Sequence, residues 1–448
     1  MSGKRVVLVN TNRLKPGVPP VALDYLAAAC EDKGVEVEIL DLCYSTDTRA
    51  DIAAYFKDRK PDLVGVSVRN LDDVFHSIFF LPGVKKIVDE IKQAVDSPVV
   101  LGGSGFSIAP EQILDYFGVD LGVAGEGEEA LPALAESVGN SSTYPSIPGL
   151  VYRTESGIQR NPLGAIDLNA ANIGRRGYVD HTPYLQDTRS VSKTGAVQAK
   201  RGCAQSCIYC IVPAVEGTCV RLRPVAQIVD EIENLAKQGV YSFWFADSEF
   251  NCPDEHAEEI CREIIARGLP EVISWNAYIA PKPFSKELAG LMKEAGCRAA
   301  VDCIDHGVDE MLERIGKDFR AEDIREAVIA AREAGLNVGH CLMLGGPGDS
   351  MDGMLKTLEL LLSLRPLNVV WADPPGMRVY PNSPLADIVA QEGFDKKNRN
   401  LSGHIKANEN LLLPVYYLSR KMGILAPGVK LWRRIGHARF RWKNRVAG

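Results

Sequence analysis

The sequence lacks the features that mark several large classes of protein. It contains no apolar run of about 18 residues or more, so no transmembrane helix is expected. The apolar stretch that follows Met1–Arg5 is too short for a signal peptide and instead predicts a buried strand. Lysine and arginine (51) do not outnumber aspartate and glutamate (58), and a net charge of −7 gives no indication of nucleic-acid binding. We therefore expect a cytoplasmic protein that acts on a small molecule and has neither a membrane nor a nucleic acid as partner.

Two common nucleotide-binding motifs are also missing. The fingerprint G-x-G-x-x-G does not follow the first predicted strand, and no segment resembles a P-loop. Eleven cysteines would suit a disulfide scaffold only in a short secreted chain, whereas here they are scattered through 448 residues. Most of them are therefore expected to be reduced thiols in the core.

Three cysteines, however, lie close together in the stretch from Arg201 to Cys210. Cys203, Cys207 and Cys210 have the spacing C-x3-C-x2-C, which lets one tight loop turn three thiolates toward a common point, as iron–sulfur ligation requires. Three thiolates leave one iron of a four-iron cluster without a protein ligand, and a substrate or cosubstrate can bind there. A zinc site would usually need a fourth Cys or His from a second pair, and no such pair occurs elsewhere. The spacing favours a cluster over zinc.

The segment 1–140 alternates short apolar runs with helical stretches, which predicts a doubly wound parallel sheet in a Rossmann-like domain. Ligands of such sheets bind beyond the carboxyl ends of the strands, where glycines let the backbone approach a flat ligand closely. The candidate cofactor-binding residues at these positions are Asn10, Arg69, Asn70, Gly102, Gly103, Ser104, Gly125, Glu126 and Gly127.

The remainder of the chain divides into three predicted segments. Residues 141–192 form a linker that includes a small hairpin near Leu150–Arg153 and Gly157–Ile158. Residues 193–390 contain a second series of alternating strands and helices, which predicts a partial (β/α)6 barrel with its chemistry at the carboxyl ends of the strands. Residues 391–448 are expected to form a small helical extension, ending in a basic amphipathic helix at Val429–Trp442.

The cysteine motif, with the aromatic Tyr209 before its last cysteine, resembles the signature of the radical S-adenosylmethionine (SAM) superfamily. The resemblance implies that Cys203, Cys207 and Cys210 hold a [4Fe-4S] cluster whose fourth iron is chelated by SAM. It also suggests SAM contacts at the strand ends of the barrel, although Asp and Ser at such positions also cap helices and loops. The residues concerned are Tyr209, Asp247, Ser248, Asp302, Asp305, Gly345 and Gly346.

The N-terminal domain resembles the cobalamin-binding domain that precedes many radical SAM cores, since Gly-Gly and then Gly-Glu-Gly-Glu follow its later strands. The motif D-x-H-x-x-G, whose histidine coordinates cobalt from below in other cobalamin proteins, is absent. Arg69 ends an apolar strand where a side chain could lie under the corrin, and a cation cannot coordinate cobalt. Arg69 is therefore a candidate for keeping the lower face of cobalamin empty, with a surface ion pair to Asp72 or Asp73 as the alternative.

The resemblance implies a cobalamin-dependent radical SAM C-methyltransferase of secondary metabolism, in which SAM methylates the cobalamin and methylcobalamin passes the group to a carbon atom. Through Arg69-Asn70 and the absent histidine, the chain is most similar to the tryptophan 2-C-methylases of thiopeptide antibiotic biosynthesis, and an external electron donor is expected to reduce the cobalamin. Arg69 and Tyr278 are the candidate catalytic residues, and Arg378 and Tyr380 are candidates for holding a substrate carboxylate. The alternatives are a radical methylase or ring-forming enzyme acting on another metabolite, and a cobalamin- or cluster-binding sensor.

Overall fold

The fold is described from a computed structural model, for residues 3–73, 78–171, 173–187, 195–364, 369–372, 375–393, 401–402 and 411–423. The strands are β1 Arg5–Asn10, β2 Glu36–Asp41, β3 Leu63–Ser67, β4 Asp72–Asp73, β5 Ile78–Phe79, β6 Val99–Gly102, β7 Leu121–Val123, β8 Leu150–Thr154, β9 Gly157–Arg160, β10 Gly195–Val197, β11 Lys200–Arg201, β12 Arg221–Leu222, β13 Ser242–Phe245, β14 Ser274–Ile279, β15 Cys297–Asp305, β16 Asn337–Leu342, β17 Val369–Ala372, β18 Met377–Arg378, β19 Leu401–Ser402 and β20 Tyr416–Tyr417. The α-helices are α1 Val21–Asp32, α2 Thr48–Phe56, α3 Leu81–Ala94, α4 Ser104–Ile108, α5 Pro110–Phe117, α6 Ala130–Ser137, α7 Thr182–Gln186, α8 Val212–Glu216, α9 Val225–Lys237, α10 Asp254–Ala266, α11 Lys286–Glu294, α12 Asp309–Arg314, α13 Ala321–Glu333, α14 Met351–Ser363 and α15 Pro384–Glu392.

The first sheet has the strand order β2-β1-β3-β6-β7-β8-β9. Its first five strands are parallel, and the apolar residues of β1, β3 and β6 are buried on both faces, as expected for a sheet covered by helices on both sides. Helices α2, α3 and α5 pack in the core on one face, and α1 and α6 pack in the core on the other. The predicted doubly wound sheet is therefore confirmed.

The hairpin β8–β9 extends this sheet, because β8 pairs antiparallel with β7. The sequence predicted the hairpin but assigned it to a linker. In the structure the hairpin belongs to the first sheet, so the first structural unit continues past residue 140. Local periodicity identifies a strand but does not identify its partner, which explains the difference.

The second sheet contains six parallel strands in the sequential order β10-β13-β14-β15-β16-β17. Helices α9, α10, α11, α13 and α14 contribute apolar residues to one continuous core, which also includes Phe243, Phe245 and Trp275 from the sheet. This arrangement matches the predicted partial barrel. The concave face of this sheet, opposite the helices, carries the side chains that alternate along each strand with those in the core.

A buried ion-pair network joins the two units. Arg176 donates to Asp24 of α1 at 2.7 Å and to Glu231 of α9 at 2.8 Å, and Arg223 also pairs with Glu231 at 2.7 Å. Because all four side chains are fully buried, these charges depend on one another and hold α1 against the barrel.

The part of the C-terminal extension that the structure describes differs from the prediction. In it β19 and β20 pair with β18 in a small antiparallel sheet, and the only helical segment after β20 among the described residues is the 3-10 turn Arg420–Met422. The predicted helix Val429–Trp442 lies outside the described residues. Within the parts that are described, no helix combines the length and apolarity needed to cross a membrane.

Candidate active site

The three motif cysteines lie on the loop that leaves the short strand β11. None is in a disulfide, Cys207 is buried, and Cys203 and Cys210 are half-buried. The loop turns back on itself through bonds from Cys210 N to Cys207 O (3.1 Å) and from Cys203 N to Gly217 O (3.3 Å). In the described part of the chain no three His, Cys, Asp or Glu side chains are gathered to hold a single metal ion. A four-iron cluster does not require such a group, since each thiolate binds a different iron, and three free thiols on one loop fit its donor set.

A second loop, which follows α12, packs against the cysteine loop. Ile208 N donates to Ile315 O at 3.0 Å. Gly316 lies so close that an added Cβ would collide with the carbonyl oxygen of Ser206. Lys317, in the same loop, pairs with Asp305 at 2.9 Å, and Asp305 also accepts a hydrogen bond from the Tyr209 hydroxyl. The cysteine loop is therefore supported by the end of strand β15.

A cavity of about 390 Å³ separates the carboxyl ends of the first sheet from the barrel. Eight of the nine predicted cofactor-binding residues of the N-terminal domain line it, and Asn70 does not. The barrel contributes Ala196, Gln198, Arg201, Val215, Glu216 and Ala246. A cleft of about 520 Å³ lies at the opposite, amino-terminal edge of the sheet, but parallel sheets bind their ligands at the carboxyl edge. We therefore place the cofactor in the cavity that faces the barrel.

Arg69 projects into this cavity. Its side chain is exposed toward the cavity, while the surrounding protein desolvates the guanidinium and lowers its pKa. Ser104 fixes the backbone beneath it by donating to Arg69 O at 2.9 Å. Arg69 forms no ion pair with any residue that the structure describes, and Asp72 pairs with Arg378 instead. The alternative in which Arg69 pairs with Asp72 is therefore not observed.

No histidine of the described residues lines the cavity: His181, His256, His306 and His340 all lie elsewhere. His76, His404 and His437 lie outside the described residues. Among the described residues, the cavity is thus lined by guanidinium, carboxylate and amide groups but by no imidazole.

Glu126 lines the cavity, yet its carboxylate already has protein partners. It accepts hydrogen bonds from Arg221 and from Ile166 N (2.8 Å), and it lies 3.4 Å from Arg201. Arg201 also pairs with the buried Glu128 at 2.5 Å. These bonds attach the loop Gly125–Glu128 to strand β11, which leads into the cysteine loop. The side chain of Glu126 therefore has a structural role in positioning this loop.

At the end of β13, Asp247 is buried with one oxygen satisfied and one free. Its Oδ1 accepts from Ala199 N (2.8 Å) and Lys200 N (3.2 Å), whereas Oδ2 has no partner among the described residues. Burial raises the pKa of this carboxyl to about 6. An unpartnered buried oxygen fits the predicted contact with the amino group of SAM. Ser248 beside it is half-buried, and its predicted SAM contact stays a prediction.

Sequence reasoning missed other charged groups near the cysteine loop. Glu249 is buried, and desolvation raises its pKa. Glu216 accepts from Gly202 N at 3.1 Å, and burial likewise raises the pKa of its carboxyl. Lys200 donates to the carbonyls of Phe250 (3.0 Å) and Cys252. Their positions in the sequence did not indicate that they lie near the cysteine loop, because Glu249, Glu216 and Lys200 belong to different elements.

The two aspartates of β15 differ from the predicted role in binding ribose. The Asp302 carboxylate bonds His340 Nδ1 at 2.6 Å, and both side chains are buried. His340 lies two positions after the core residue Val338 in β16, so the pair is on the helix side of the sheet. The predicted ribose contact of Asp302 is therefore not supported. Asp305 is near the cluster loop, although its carboxylate already binds Tyr209 and Lys317.

The glycine-rich turn after β16 is tightly packed. Gly345 N donates to Asp349 Oδ2 at 2.7 Å, and Gly345 has a φ of +85° that favours glycine. At Gly346 an added Cβ would lie 2.5 Å from the Met377 side chain. These contacts give a structural reason for a glycine at both positions. The predicted place of Gly345 and Gly346 beside the adenine of SAM stays a prediction.

Tyr278 lies on the concave face of the barrel, since its neighbours Ala277 and Ile279 belong to the core on the other face. Its side chain is 39% exposed and packs against Trp244 with ring centroids 5.2 Å apart. Burial raises the pKa of its phenol to about 12. Tyr278 is therefore accessible from the concave face, and its predicted place near a substrate stays a prediction.

Arg378 and Tyr380 do not form a substrate site in this structure, which corrects the prediction. Arg378 is only 1% exposed, pairs with Asp72 at 2.8 Å, and donates to the carbonyls of Leu411 and Leu412. Tyr380 donates to the same Asp72 at 3.3 Å. The guanidinium is fully engaged in holding the C-terminal segment against the first unit, so it is not available to a substrate carboxylate.

Comparison with known proteins agrees with this geometry. The B12 binding domain family model matches residues 7–135, and the radical SAM superfamily model matches residues 197–361. Tryptophan 2-C-methyltransferase from Streptomyces laurentii is 30% identical over 451 residues, covering 86% of this chain and 74% of that protein. The chain belongs to the cobalamin-binding radical SAM methyltransferases.

This radical SAM methyltransferase also resembles solved members of its family over nearly its whole length. The structure of TsrM from Kitasatospora setae with tryptophan and a SAM analogue superposes with a TM-score of 0.86 at 30% identity, covering 97% of this chain and 89% of that one. The TsrM structure with cobalamin and a [4Fe-4S] cluster gives a TM-score of 0.84. A phosphonate enzyme, cytidylyl-2-hydroxyethylphosphonate methyltransferase of Streptomyces wedmorensis, is 25% identical over 397 residues, covering 76% of this chain and 72% of that protein.

The cofactors of this methyltransferase are therefore cobalamin and a [4Fe-4S] cluster, with SAM as the methyl donor. Cys203, Cys207 and Cys210 are the residues that would hold the cluster. The cavity beneath Gly102–Ser104 and Gly125–Gly127 is the place that fits the corrin.

Proposed function

We propose that this methyltransferase acts on tryptophan and methylates its C2 carbon. The observation that carries the proposal is the likeness, over nearly the whole chain, to a tryptophan 2-C-methyltransferase and to a structure that contains tryptophan. The concave face of the barrel supports it, because Trp244 and Tyr278 present aromatic surfaces at which an indole ring can stack.

When bound, cobalamin carries the methyl group that SAM supplies. The contribution of the chain is to fix the two cofactors on either side of one cavity. Arg69 would present a positive charge, and no lone pair for metal coordination, to a cofactor bound in the cavity. The buried Oδ2 of Asp247, which has no partner among the described residues, supports a proposed hydrogen bond from the amino group of SAM. An external electron donor that maintains reduced cobalamin completes the proposal.

The proposal is tested by incubating the reconstituted enzyme with SAM that carries a deuterated methyl group and with tryptophan that carries deuterium at C2. We expect a methylated tryptophan that gains the labelled methyl group and loses the ring deuterium, with S-adenosylhomocysteine as coproduct. The variant in which Cys203, Cys207 and Cys210 are all alanine serves as the control and is expected to form no product.

Failure to methylate tryptophan would contradict the proposed substrate while leaving the family assignment intact. If another metabolite is methylated with 5′-deoxyadenosine formed in proportion to product, the enzyme is the radical-type methylase instead. The likeness to the phosphonate methyltransferase makes a phosphonate the first such metabolite to test.

A further inference from the structure

Lys317 is a buried cation beside the cysteine loop that neither the sequence motif nor the proposed reaction uses. Its side chain is only 2% exposed, and its ammonium lies 2.9 Å from Asp305 Oδ2. The same ammonium lies 6.0 Å from the centre of the Tyr209 ring, and the backbone of the preceding Gly316 packs against Ser206 and Cys207 of the cysteine loop. A lysine costs free energy when it is removed from water, so a buried one is retained only where partners hold its charge.

The position of this ammonium is fixed from both sides. Asp305 adopts a left-handed backbone conformation with φ of +60°, which is unusual for a residue other than glycine. Its carboxylate joins Lys317 to the hydroxyl of Tyr209, the residue that precedes Cys210. On the other side, Gly316 packs against the Ser206 carbonyl and leaves no room for a larger residue. The ammonium is therefore held at Asp305, in a loop whose backbone packs directly against the cysteine loop.

The charge of Lys317 acts on all three ligand thiols. Burial raises the pKa of Cys207 to about 11, and the Lys317 ammonium opposes that rise. Burial likewise raises the pKa values of Cys203 and Cys210, and Lys317 again opposes it. Lys317 therefore places a fixed positive charge beside the cysteine loop, with the negative charge of Asp305 next to it.

We propose that Lys317 is a positioning residue that sets the reduction potential of the cluster. One-electron reduction adds a negative charge to the cluster, and a fixed cation at a ligand sulfur stabilises the reduced form more than the oxidised form. Lys317 thus raises the potential, and Asp305 limits the rise. The inference rests on the cluster but not on the substrate, so it stands or falls separately from tryptophan methylation.

The test is a spectroelectrochemical titration of the reconstituted holoenzyme, in which the reduced cluster is followed by its EPR signal. Lys317→Gln keeps a hydrogen-bond donor and removes the charge, and we expect it to lower the midpoint potential at unchanged iron content. Lys317→Arg keeps the charge and should stay near the parent value. Lys286→Gln is the control, because Lys286 is an exposed lysine that pairs with Glu333 on the outer helices.

Asp305→Asn provides a second variant with the opposite sign. It removes the negative charge while leaving an amide for Tyr209, so we expect the midpoint potential to rise. A Lys317→Gln cluster with the parent potential or a higher one would overturn the proposal. If Lys317→Gln does not retain iron, Asp305→Asn decides: an upward shift supports the proposal, and an unchanged or lower potential overturns it.

Discussion

At the scale of single residues, Arg69 is the side chain on which the proposed polar methyl transfer depends. It lines the cavity without an ion pair to any described residue. We expect Arg69→Ala to reduce methyl transfer at least tenfold, which corresponds to about 1.4 kcal/mol in the barrier, because water can then reach the cobalt. Arg69→Lys keeps the charge but loses the planar guanidinium, so its rate should fall less. Single-turnover methyl transfer from pre-methylated cofactor measures both rates.

The neighbouring Asn70 does not line the cavity, so Asn70→Ala is a matched control that should keep the parent rate. Iron and cobalamin content should be the same in all three variants. An Arg69→Ala enzyme that transfers methyl groups at the parent rate would remove the residue-level support for the polar route.

Asp247 makes the stability of the fold depend on pH. Burial raises its pKa to about 6 in the folded protein, against an ordinary value of 3.8. The folded protein thus binds this proton more tightly than the unfolded chain, and the resulting stability is complete below the ordinary pKa and is lost as pH rises through about 6. We expect Asp247→Asn to be more stable than the parent at about pH 7 by up to roughly 3 kcal/mol, and close to it at about pH 4.

Urea unfolding of both proteins across this pH range measures the effect, with the exposed Asp58→Asn as a control that should show no such dependence. A constant difference between Asp247→Asn and the parent at every pH would show that the carboxyl is already ionised without cost.

At the scale of elements, the ion pairs of Arg201 join the cofactor-binding loop Gly125–Glu128 to strand β11, which leads into the cysteine loop. Arg201 and its partners are almost fully buried. We expect Arg201→Met to destabilise the protein by about 3 kcal/mol or more, because it leaves Glu128 buried without its cation, whereas Glu126 keeps its pair with Arg221. Cobalamin affinity should fall with it, since the loop is no longer fixed.

The double variant Arg201→Met/Glu128→Gln should recover part of the lost unfolding free energy, because it removes the charge that Arg201→Met leaves unpaired. The exposed pair Arg262–Glu258 supplies a control: Arg262→Met should change stability by less than about 1 kcal/mol. Equal losses for the single and double variants would contradict an electrostatic origin.

Local pattern predicted most elements of both sheets and the cysteine loop. The apolar runs at Arg5–Asn10 and Leu63–Ser67 form the strands that periodicity indicated, and the glycines after β6 and β7 line the predicted cavity. What could not be predicted depends on partners distant in sequence. Asp72 and Arg378 are 306 residues apart, so no local signal showed that this arginine would be buried. Lys317 was missed for the same reason, since only the fold brings it to Cys207.

At the scale of the whole molecule, the cavity belongs to neither unit alone. Its floor is the carboxyl edge of the first sheet, and its opposite wall is the start of the barrel around Gln198, Arg201 and Glu216. The buried pairs of Arg176 with Asp24 and Glu231 hold these two walls together. We therefore expect the two cofactors to face each other only when both units are present.

The most direct test of this account is the EPR spectrum of cob(II)alamin bound to the full-length protein. The cavity wall contains no histidine among the described residues and contains Arg69. We therefore predict that cobalamin binds at one equivalent per chain and that its cobalt hyperfine lines show no superhyperfine splitting from nitrogen. Resolved nitrogen splitting would show an imidazole beneath the cobalt and would contradict the open lower face.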